Sequence, residues 1–222
     1  MIPMTSRADI EKIKKKRYEA LAPILIENLE SRQYEAYYVD NGEEAVKKAL
    51  SLMPAKSSVS WGGSATIEEI GLLDKVKSGP YKVLDRSEAS TPEEKEDMLR
   101  RALSVDFYLT SFNGVSMDGI VFNIDGTGNR VAAITFGPRN VIAVVGMNKV
   151  CKDQEQALAR AEDIAAQMNA ARFGMEDTLF TDGDVTDDCK APKSICNFIE
   201  QIVFCGKPKR IKVILVGEDL GF

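Results

Sequence analysis

The residues best suited to chemistry lie between Asp106 and Lys149, where polar side chains follow short apolar runs. These residues are Thr110, Ser111, Asn113, Asn123, Asp125, Asn129, Arg130, Asn148 and Lys149, together with the turn glycine Gly126. An arginine binds a carboxylate or phosphate through two parallel hydrogen bonds, and a lysine acts as a point charge. Arg130 and Lys149 therefore predict a site for a small anionic molecule.

Acid–base chemistry at such a site would have to work without histidine, because the sequence contains none. This excludes a Ser-His-Asp triad, a Cys-His dyad and a histidine-ligated zinc built from this chain. Asp125 and Glu218 are the carboxylates best placed to act as a general base. The acidic and amide side chains of the turn, Asp125 among them, are equally well explained as turn residues that bond to backbone groups. The sequence thus favours binding and leaves catalysis open.

A second candidate for anion binding is the turn Gly62-Gly63-Ser64, which follows the predicted strand Ser57–Trp61. A helix that begins after such a turn presents free N–H groups and a positive dipole end to an anion. Thr66 and Glu69 have the spacing of a capping box, so we expect this helix to begin at Thr66. The alternative is that the glycines only permit close packing of the helix on the strand.

Strands and helices alternate from Tyr34 onwards, in the order β-α-β-α-β-α-β up to the central stretch. This alternation predicts a parallel sheet with helices on both faces. Asp118-Gly119 predicts a hairpin that makes the sheet mixed at one end. The β-branched residues of Val131–Phe136 predict a further strand. Ligands of such sheets bind outside the carboxyl ends of the strands, which would bring the glycine turn and the polar residues into one cleft.

The N-terminal part is predicted to be a helical arm, residues 1–33, preceding an α/β domain of residues 34–222. Pro23 should kink the helix or restart it near Ala22. The basic run Lys14–Arg17 is better explained by a solvated helix face than by contact with a membrane or a nucleic acid. Further along the chain, Asp153 should cap a long helix that ends near Arg172.

Composition supports one globular α/β domain, with 222 residues, 44% apolar and 28% charged. The net charge of −5 argues against nucleic acid as a partner. No apolar run reaches the roughly 20 residues that cross a bilayer, and the N-terminus has no signal-peptide pattern. We therefore expect a cytoplasmic protein with no membrane partner and with reduced cysteines.

The cysteines give little support for a metal. Cys189, Cys196 and Cys205 do not have zinc-site spacing, so Cys189 and Cys196 are only weak candidates, and we expect no metal and no cofactor. Cys151 lies beside two lysines near a helix N-terminus, which would lower the pKa of its thiol. The alternative for Cys151 is a small apolar filler.

Three consecutive segments, Asn123–Ala133, Phe136–Pro138 and Val141–Lys149, resemble the LUD-domain family, the lactate-utilisation proteins of the LutC/YkgG type. The resemblance extends over residues 40–222 and includes the stretches Gly62–Thr66, Cys189–Cys196 and Val216–Gly221. It implies a three-layer αβα fold with a mostly parallel sheet and an antiparallel hairpin, the NagB/RpiA/CoA-transferase-like fold.

The resemblance implies one function, and the fold implies an alternative. By resemblance, the protein would bind a small carboxylate as an accessory subunit of L-lactate oxidation, beside iron–sulfur partner subunits. By fold analogy, it would be an isomerase or transferase acting on a phosphosugar or a CoA ester. A homo-oligomer is compatible with both. Family members often carry additional cysteines before the Cys189–Cys196 pair, whereas Thr181–Thr186 contains none.

Overall fold

The computed structural model describes residues 6–174 and 194–222. Within these ranges the strands are β1 Glu35–Val39, β2 Ser58–Trp61, β3 Lys82–Val83, β4 Phe107–Thr110, β5 Gly114–Ser116, β6 Val121–Asp125, β7 Asn140–Gly146, β8 Val150–Cys151, β9 Phe198–Ile202 and β10 Ile211–Val216. The α-helices are α1 Arg7–Ser31, α2 Gly42–Ser51, α3 Ala65–Glu69, α4 Leu72–Lys77, α5 Pro92–Arg101, α6 Asn129–Thr135, α7 Gln154–Arg160 and α8 Gln167–Arg172. A π-helical segment, Ala161–Ala166, joins α7 to α8.

The main sheet has six parallel strands in the order β1-β10-β7-β4-β2-β3. Successive residues of a strand point to opposite faces, so a strand covered on both sides is apolar throughout. In β7, Val141, Ala143 and Val145 belong to the core on one face of the sheet. Ile142 and Val144 belong to the core on the other. This arrangement confirms the predicted three-layer αβα fold.

Different helices cover the two faces. Helices α1 and α6 contribute Leu25, Leu29 and Ile134 to the first core. Helices α2, α3 and α4 supply the second core, together with Trp61 from the end of β2. The carboxyl ends of the strands are thereby left between two helical layers, and the loops that follow them meet at this edge of the sheet.

The predicted hairpin exists, but it belongs to a separate sheet of four strands in the order β8-β5-β6-β9. Gly119 makes its turn with φ of +83°, a conformation in which glycine carries no steric penalty. The expectation that the hairpin would make the main sheet mixed is therefore wrong. The hairpin pairs elsewhere because Ile120, Phe122 and Ile124 pack on α7 and on the π-helical segment, which form a third core.

The strand predicted at Val131–Phe136 is wrong, because these residues form most of α6. Gly128 turns the chain into the helix with φ of +88°, and Ala133 and Ile134 are then buried against the main sheet. The guanidinium of Arg210 donates to the carbonyls of Ala133 and Ile134, which have no partner inside the helix. Tertiary contacts thus override the β-branched composition.

Pro23 does not interrupt α1, which runs unbroken from Arg7 to Ser31. Packing compensates for the backbone hydrogen bond that proline removes, because Leu25 and Leu29 are fully buried. The side chain of Asn28 also donates to the carbonyl of Met117 in the hairpin. The helix predicted as an N-terminal arm therefore packs on the α/β domain of its own chain.

Gly114 fixes the distance between β5 and α7, and replacing it with alanine tests this contact. A Cβ atom at position 114 would lie 2.2 Å from the carbonyl oxygen of Ala157, a backbone atom that cannot move without shifting α7. We expect Gly114→Ala to lower the free energy of unfolding by about 3 kcal/mol or more in urea titrations. The control is Gly206→Ala, where a Cβ meets nothing within 4 Å. Equal stability of the two variants would contradict the close packing.

Candidate functional site

A cavity of 320 Å³ lies at the carboxyl edge of the main sheet. This volume is at the small end of the range of about 300–1,000 Å³ that is typical of ligand pockets. Many of the sequence-predicted residues line it, namely Gly63, Ser64, Ser111, Asn113, Asp125, Gly126, Asn129, Arg130 and Lys149. The structure therefore brings together residues from the turn after β2, the loop after β4, the turn after β6 and the end of β7.

Four of the residues predicted to bind the ligand lie outside the lining of this cavity. Gly62 donates its backbone N–H to the carbonyl of Leu109, and the aliphatic part of Arg130 passes over its Cα. Thr110 is fully buried, and its hydroxyl donates to the carbonyl of the next residue. Asn123 is buried behind Arg130, and Asn148 accepts from the backbone of Leu220 through Oδ1. In the structure these four residues support the surroundings of the cavity.

Arg130 connects the loops around the cavity. Its Nη1 donates to Oδ1 of Asn123 over 2.8 Å, and its Nη2 donates to Oδ1 of Asn113 over 3.0 Å. A further bond runs from Nη2 to the carbonyl of Ile124, and Nε lies 3.5 Å from Oδ2 of Asp125. The guanidinium is thus engaged with several protein acceptors. It holds the ends of β4 and β6 together, which leaves it little capacity for the bidentate carboxylate contact expected of it.

The two predicted carboxylates also have structural partners. Oδ1 of Asp125 accepts from the backbone N–H groups of Thr127 and Gly128, over 3.0 and 2.8 Å. This is the turn-stabilising role that was the alternative to catalysis. Oε2 of Glu218 accepts from the N–H of Gly42 at the start of α2, and Glu218 does not line the cavity. Of the two, only Asp125 has a position from which it could meet a ligand.

Lys149 is the most unusual side chain of the site, because it is only 2% exposed and yet lines the cavity. Its Nζ donates to Oγ1 of Thr66 over 2.7 Å and to Oγ of Ser111 over 3.1 Å. Burial lowers the pKa of this amine to about 7, and the nearby positive charges of Arg160 and Arg130 act in the same direction. An amine that titrates near neutrality can serve as a base or a nucleophile.

The prediction that Thr66 caps the helix after β2 is wrong. Ser64 is the N-cap of α3, and its hydroxyl accepts from the N–H of Ile67. The hydroxyl of Thr66 is instead turned towards Lys149. With only five residues, α3 offers a weak dipole, so the anion-binding capacity of this region comes mainly from side chains.

Sequence reasoning missed three cations that line the cavity, Arg86, Lys95 and Arg172. A Cβ atom on Gly63 would lie 3.2 Å from Nη2 of Arg86 and 3.6 Å from Nη2 of Arg172. The absent side chain of Gly63 therefore lets both guanidinium groups approach the same point. Arg86 follows β3, so the rule about carboxyl ends of strands could have found it. No local pattern marks Arg172, which closes α8.

The cavity is strongly cationic although the whole chain is acidic. Four positive side chains line it, Arg86, Lys95, Arg130 and Arg172, beside the amine of Lys149. Asp125 is the one side-chain carboxylate among the lining residues that the structure describes, and its charge is balanced by Arg130. A cleft with one sign of charge concentrates ligands of the opposite sign. The arrangement is suited to a small anion.

The three cysteines that the structure describes, Cys151, Cys196 and Cys205, do not line this cavity. Burial raises the pKa of the Cys151 thiol, which is opposite to the direction expected from its neighbouring lysines. Cys196 lies in the described part, whereas Cys189 lies outside the described residues. In residues 6–174 and 194–222, no three side chains of the metal-binding types come together as a metal site would need. None of the helices in the same ranges has the length and apolar character needed to cross a bilayer.

Comparison with known proteins identifies the family. The crystal structure of a DUF162 family protein from Deinococcus radiodurans superposes with a TM-score of 0.50 at 15% identity, over 90% of this chain and 98% of that one. At this identity the similarity concerns the fold alone. No curated protein matches the sequence. The sequence model of the LUD domain matches residues 22–216, so this chain belongs to the LUD-domain family.

Proposed function

We propose that this LUD-domain protein binds a small carboxylate in the cationic cavity, as an accessory component of L-lactate oxidation. The family, which is related to lactate utilisation, supports the metabolic context. The cations around the cavity support the charge of the ligand. Iron–sulfur subunits of a lactate-oxidising system are the proposed protein partners.

The observation that carries the proposal is the pair of guanidinium groups, of Arg86 and Arg172, next to Gly63. Among the described residues, the side chain of Arg86 has no hydrogen bond and no ion pair. Arg172 has one ion pair, with Glu68 at 3.9 Å, and its guanidinium lies over the rings of Phe173 and Phe222. Guanidinium groups bind carboxylates through short charge-assisted hydrogen bonds. An anion between Arg86 and Arg172 would supply the acceptors that both groups lack, and the small volume favours an acid of few carbon atoms.

A thermal-shift screen tests the proposal. The panel contains lactate, pyruvate and related short-chain acids, with phosphosugars and CoA esters as competing classes. A ligand that binds only the folded state raises the melting temperature by mass action. We expect the short-chain acids to raise it in a concentration-dependent manner. A response to phosphosugars or CoA esters alone would contradict the proposed ligand class.

The two arginines should each account for a large part of the affinity. We expect Arg86→Gln and Arg172→Gln each to weaken carboxylate binding by about 10-fold to 100-fold, because a hydrogen bond to a charged group contributes about 1.5–3 kcal/mol. Titration calorimetry measures the change. Arg101→Gln is the matched control, since Arg101 is exposed on α5 and does not line the cavity. Unchanged affinity in both cavity variants would place the ligand elsewhere.

The lowered pKa of Lys149 favours a second candidate function, that of an isomerase or transferase acting on a phosphosugar or CoA ester. An amine whose pKa is about 7 can take up and release protons near neutral pH, as such reactions require. Turnover of a phosphosugar or an acyl-CoA that is abolished in Lys149→Met would support this candidate. Turnover that survives the substitution would exclude Lys149 as its base.

A further inference from the structure

We propose that Lys149 is a nucleophile that forms a Schiff base with a small 2-oxo acid, whose carboxylate lies between Arg86 and Arg172. This inference rests on the proposed carboxylate site and names the class of ligand that the site would hold covalently. It is carried by the hydrogen bonds of Lys149, by its surroundings and by its place in the cavity.

The hydrogen bonds around Nζ of Lys149 fit a neutral amine. The hydroxyl of Thr66 lies 3.3 Å from the carbonyl of Leu220, and the hydroxyl of Ser111 lies 3.4 Å from the carbonyl of Phe112. Both hydroxyls can donate their hydrogen to these carbonyls, so both can accept from Nζ. A neutral amine has two N–H groups for these two acceptors and keeps a lone pair. The ammonium form would have a third N–H for which the described residues offer no acceptor.

The charges around Lys149 also favour the neutral form. Arg160 and Arg130 bring positive charge close to its Nζ and lower the pKa, and Glu69 acts in the opposite direction with a smaller effect, since among the described residues no carboxylate forms an ion pair with Lys149. Burial removes the water that would solvate an ammonium group. The resulting pKa of about 7 leaves a large fraction of the amine unprotonated under physiological conditions. Nucleophilic lysines are activated by this combination of desolvation and neighbouring cations.

The position of Lys149 accounts for the class of ligand. A lysine amine adds to the electrophilic carbon of an aldehyde or ketone, and the arginine pair requires an anionic group. The smallest molecules with both features are 2-oxo acids. A 2-hydroxy acid has the carboxylate but no carbonyl carbon beside it, so we expect it to bind reversibly without forming a covalent bond.

The chemical step balances without an added oxidant or reductant. The lone pair of Nζ attacks the ketone carbon, a C–N bond forms, and the electron pair of the C=O π bond moves to oxygen, which takes up a proton. The nitrogen then loses a proton, and the hydroxyl group leaves as water after a second protonation. The net change is that one amine, one ketone and one proton give an iminium ion and one water.

Reductive trapping tests the inference. The full-length protein is incubated with pyruvate and cyanoborohydride at pH 7.5, and intact mass and peptide mapping locate any adduct. We expect one adduct, on Lys149, that is absent in Lys149→Met and retained in Lys152→Met, an exposed lysine three residues away. The trapping rate should rise up to about pH 7 and then level off, whereas ordinary surface lysines continue to gain reactivity towards pH 10.

The outcomes separate this inference from the proposed function. Lactate should raise the melting temperature as pyruvate does and give no adduct under the same conditions. Binding of both acids without an adduct, or slow labelling spread over many lysines, would overturn the Schiff base and leave the carboxylate site standing. Failure of every short-chain acid to bind would overturn both.

Discussion

Replacing Arg130 with methionine is expected to lower the free energy of unfolding by about 3–5 kcal/mol. The side chain of Arg130 is 11% exposed, and its guanidinium donates to Asn113, Asn123 and the carbonyl of Ile124. Methionine fills similar space but leaves these acceptors, and the carboxylate of Asp125, without their partner. Buried polar groups that lose a partner in this way account for most of the expected cost.

The same substitution should abolish carboxylate binding, because Arg130 holds the loops that shape the cavity. Urea unfolding measures the stability, and titration calorimetry with pyruvate measures the binding. Arg139→Met is the matched control, since Arg139 is exposed and distant from the cavity lining; it should change the free energy of unfolding by no more than about 0.5 kcal/mol. Similar losses of stability and of binding in Arg130→Met and Arg139→Met would show that Arg130 does not hold these loops together.

Replacing Lys149 with methionine is expected to change how stability depends on pH. The pKa of Lys149 is about 7 in the folded chain and near its ordinary value of 10.5 in the unfolded chain. Between these values the unfolded chain holds the proton and the folded chain does not, so unfolding takes up a proton and becomes less favourable as the pH rises. Lys149 should thus add about 4 kcal/mol to the free energy of unfolding between pH 7 and pH 10.

Methionine at position 149 does not titrate. The free energy of unfolding of Lys149→Met should therefore exceed that of the native protein by the largest amount at pH 7 and below, and this difference should shrink towards pH 10. Urea titrations at several pH values measure this difference. Lys212, whose pKa is also lowered by burial, is present in both proteins and cancels. Lys152→Met should follow the native curve. Parallel curves for the native protein and Lys149→Met would contradict a neutral, buried Lys149.

The main sheet could be predicted because the alternation of strands and helices is visible in short stretches of sequence, and this alternation determines that the strands pair in parallel. Parallel strands need crossover helices, and each predicted crossover lay in one short stretch of chain. The prediction failed at Val131–Phe136 and at Pro23, where contacts with distant residues decide the structure. Arg210 donates to the end of α6 from 76 and 77 residues away, and buried side chains stabilise α1 across its proline.

The candidate site was predicted in position but not in the roles of its residues. The rule about carboxyl ends of strands gathered nine of the cavity-lining residues from residue types alone. It could not show that Arg130 is already bonded, because the partners of its guanidinium come from the loop after β4 and from strand β6. Nor could it show that Thr66 faces Lys149 across 83 positions of the sequence. Arg172 was missed for the same reason, since only the fold brings α8 to Gly63.

The most direct test is a crystal structure of the protein with pyruvate at pH 8, where Lys149 is mostly neutral. The predicted result is one molecule in the cavity, with its carboxylate between the guanidinium groups of Arg86 and Arg172 and its second carbon bonded to Nζ of Lys149. Pyruvate bound at another place on the protein, or an empty cavity at saturating concentration, would contradict the account.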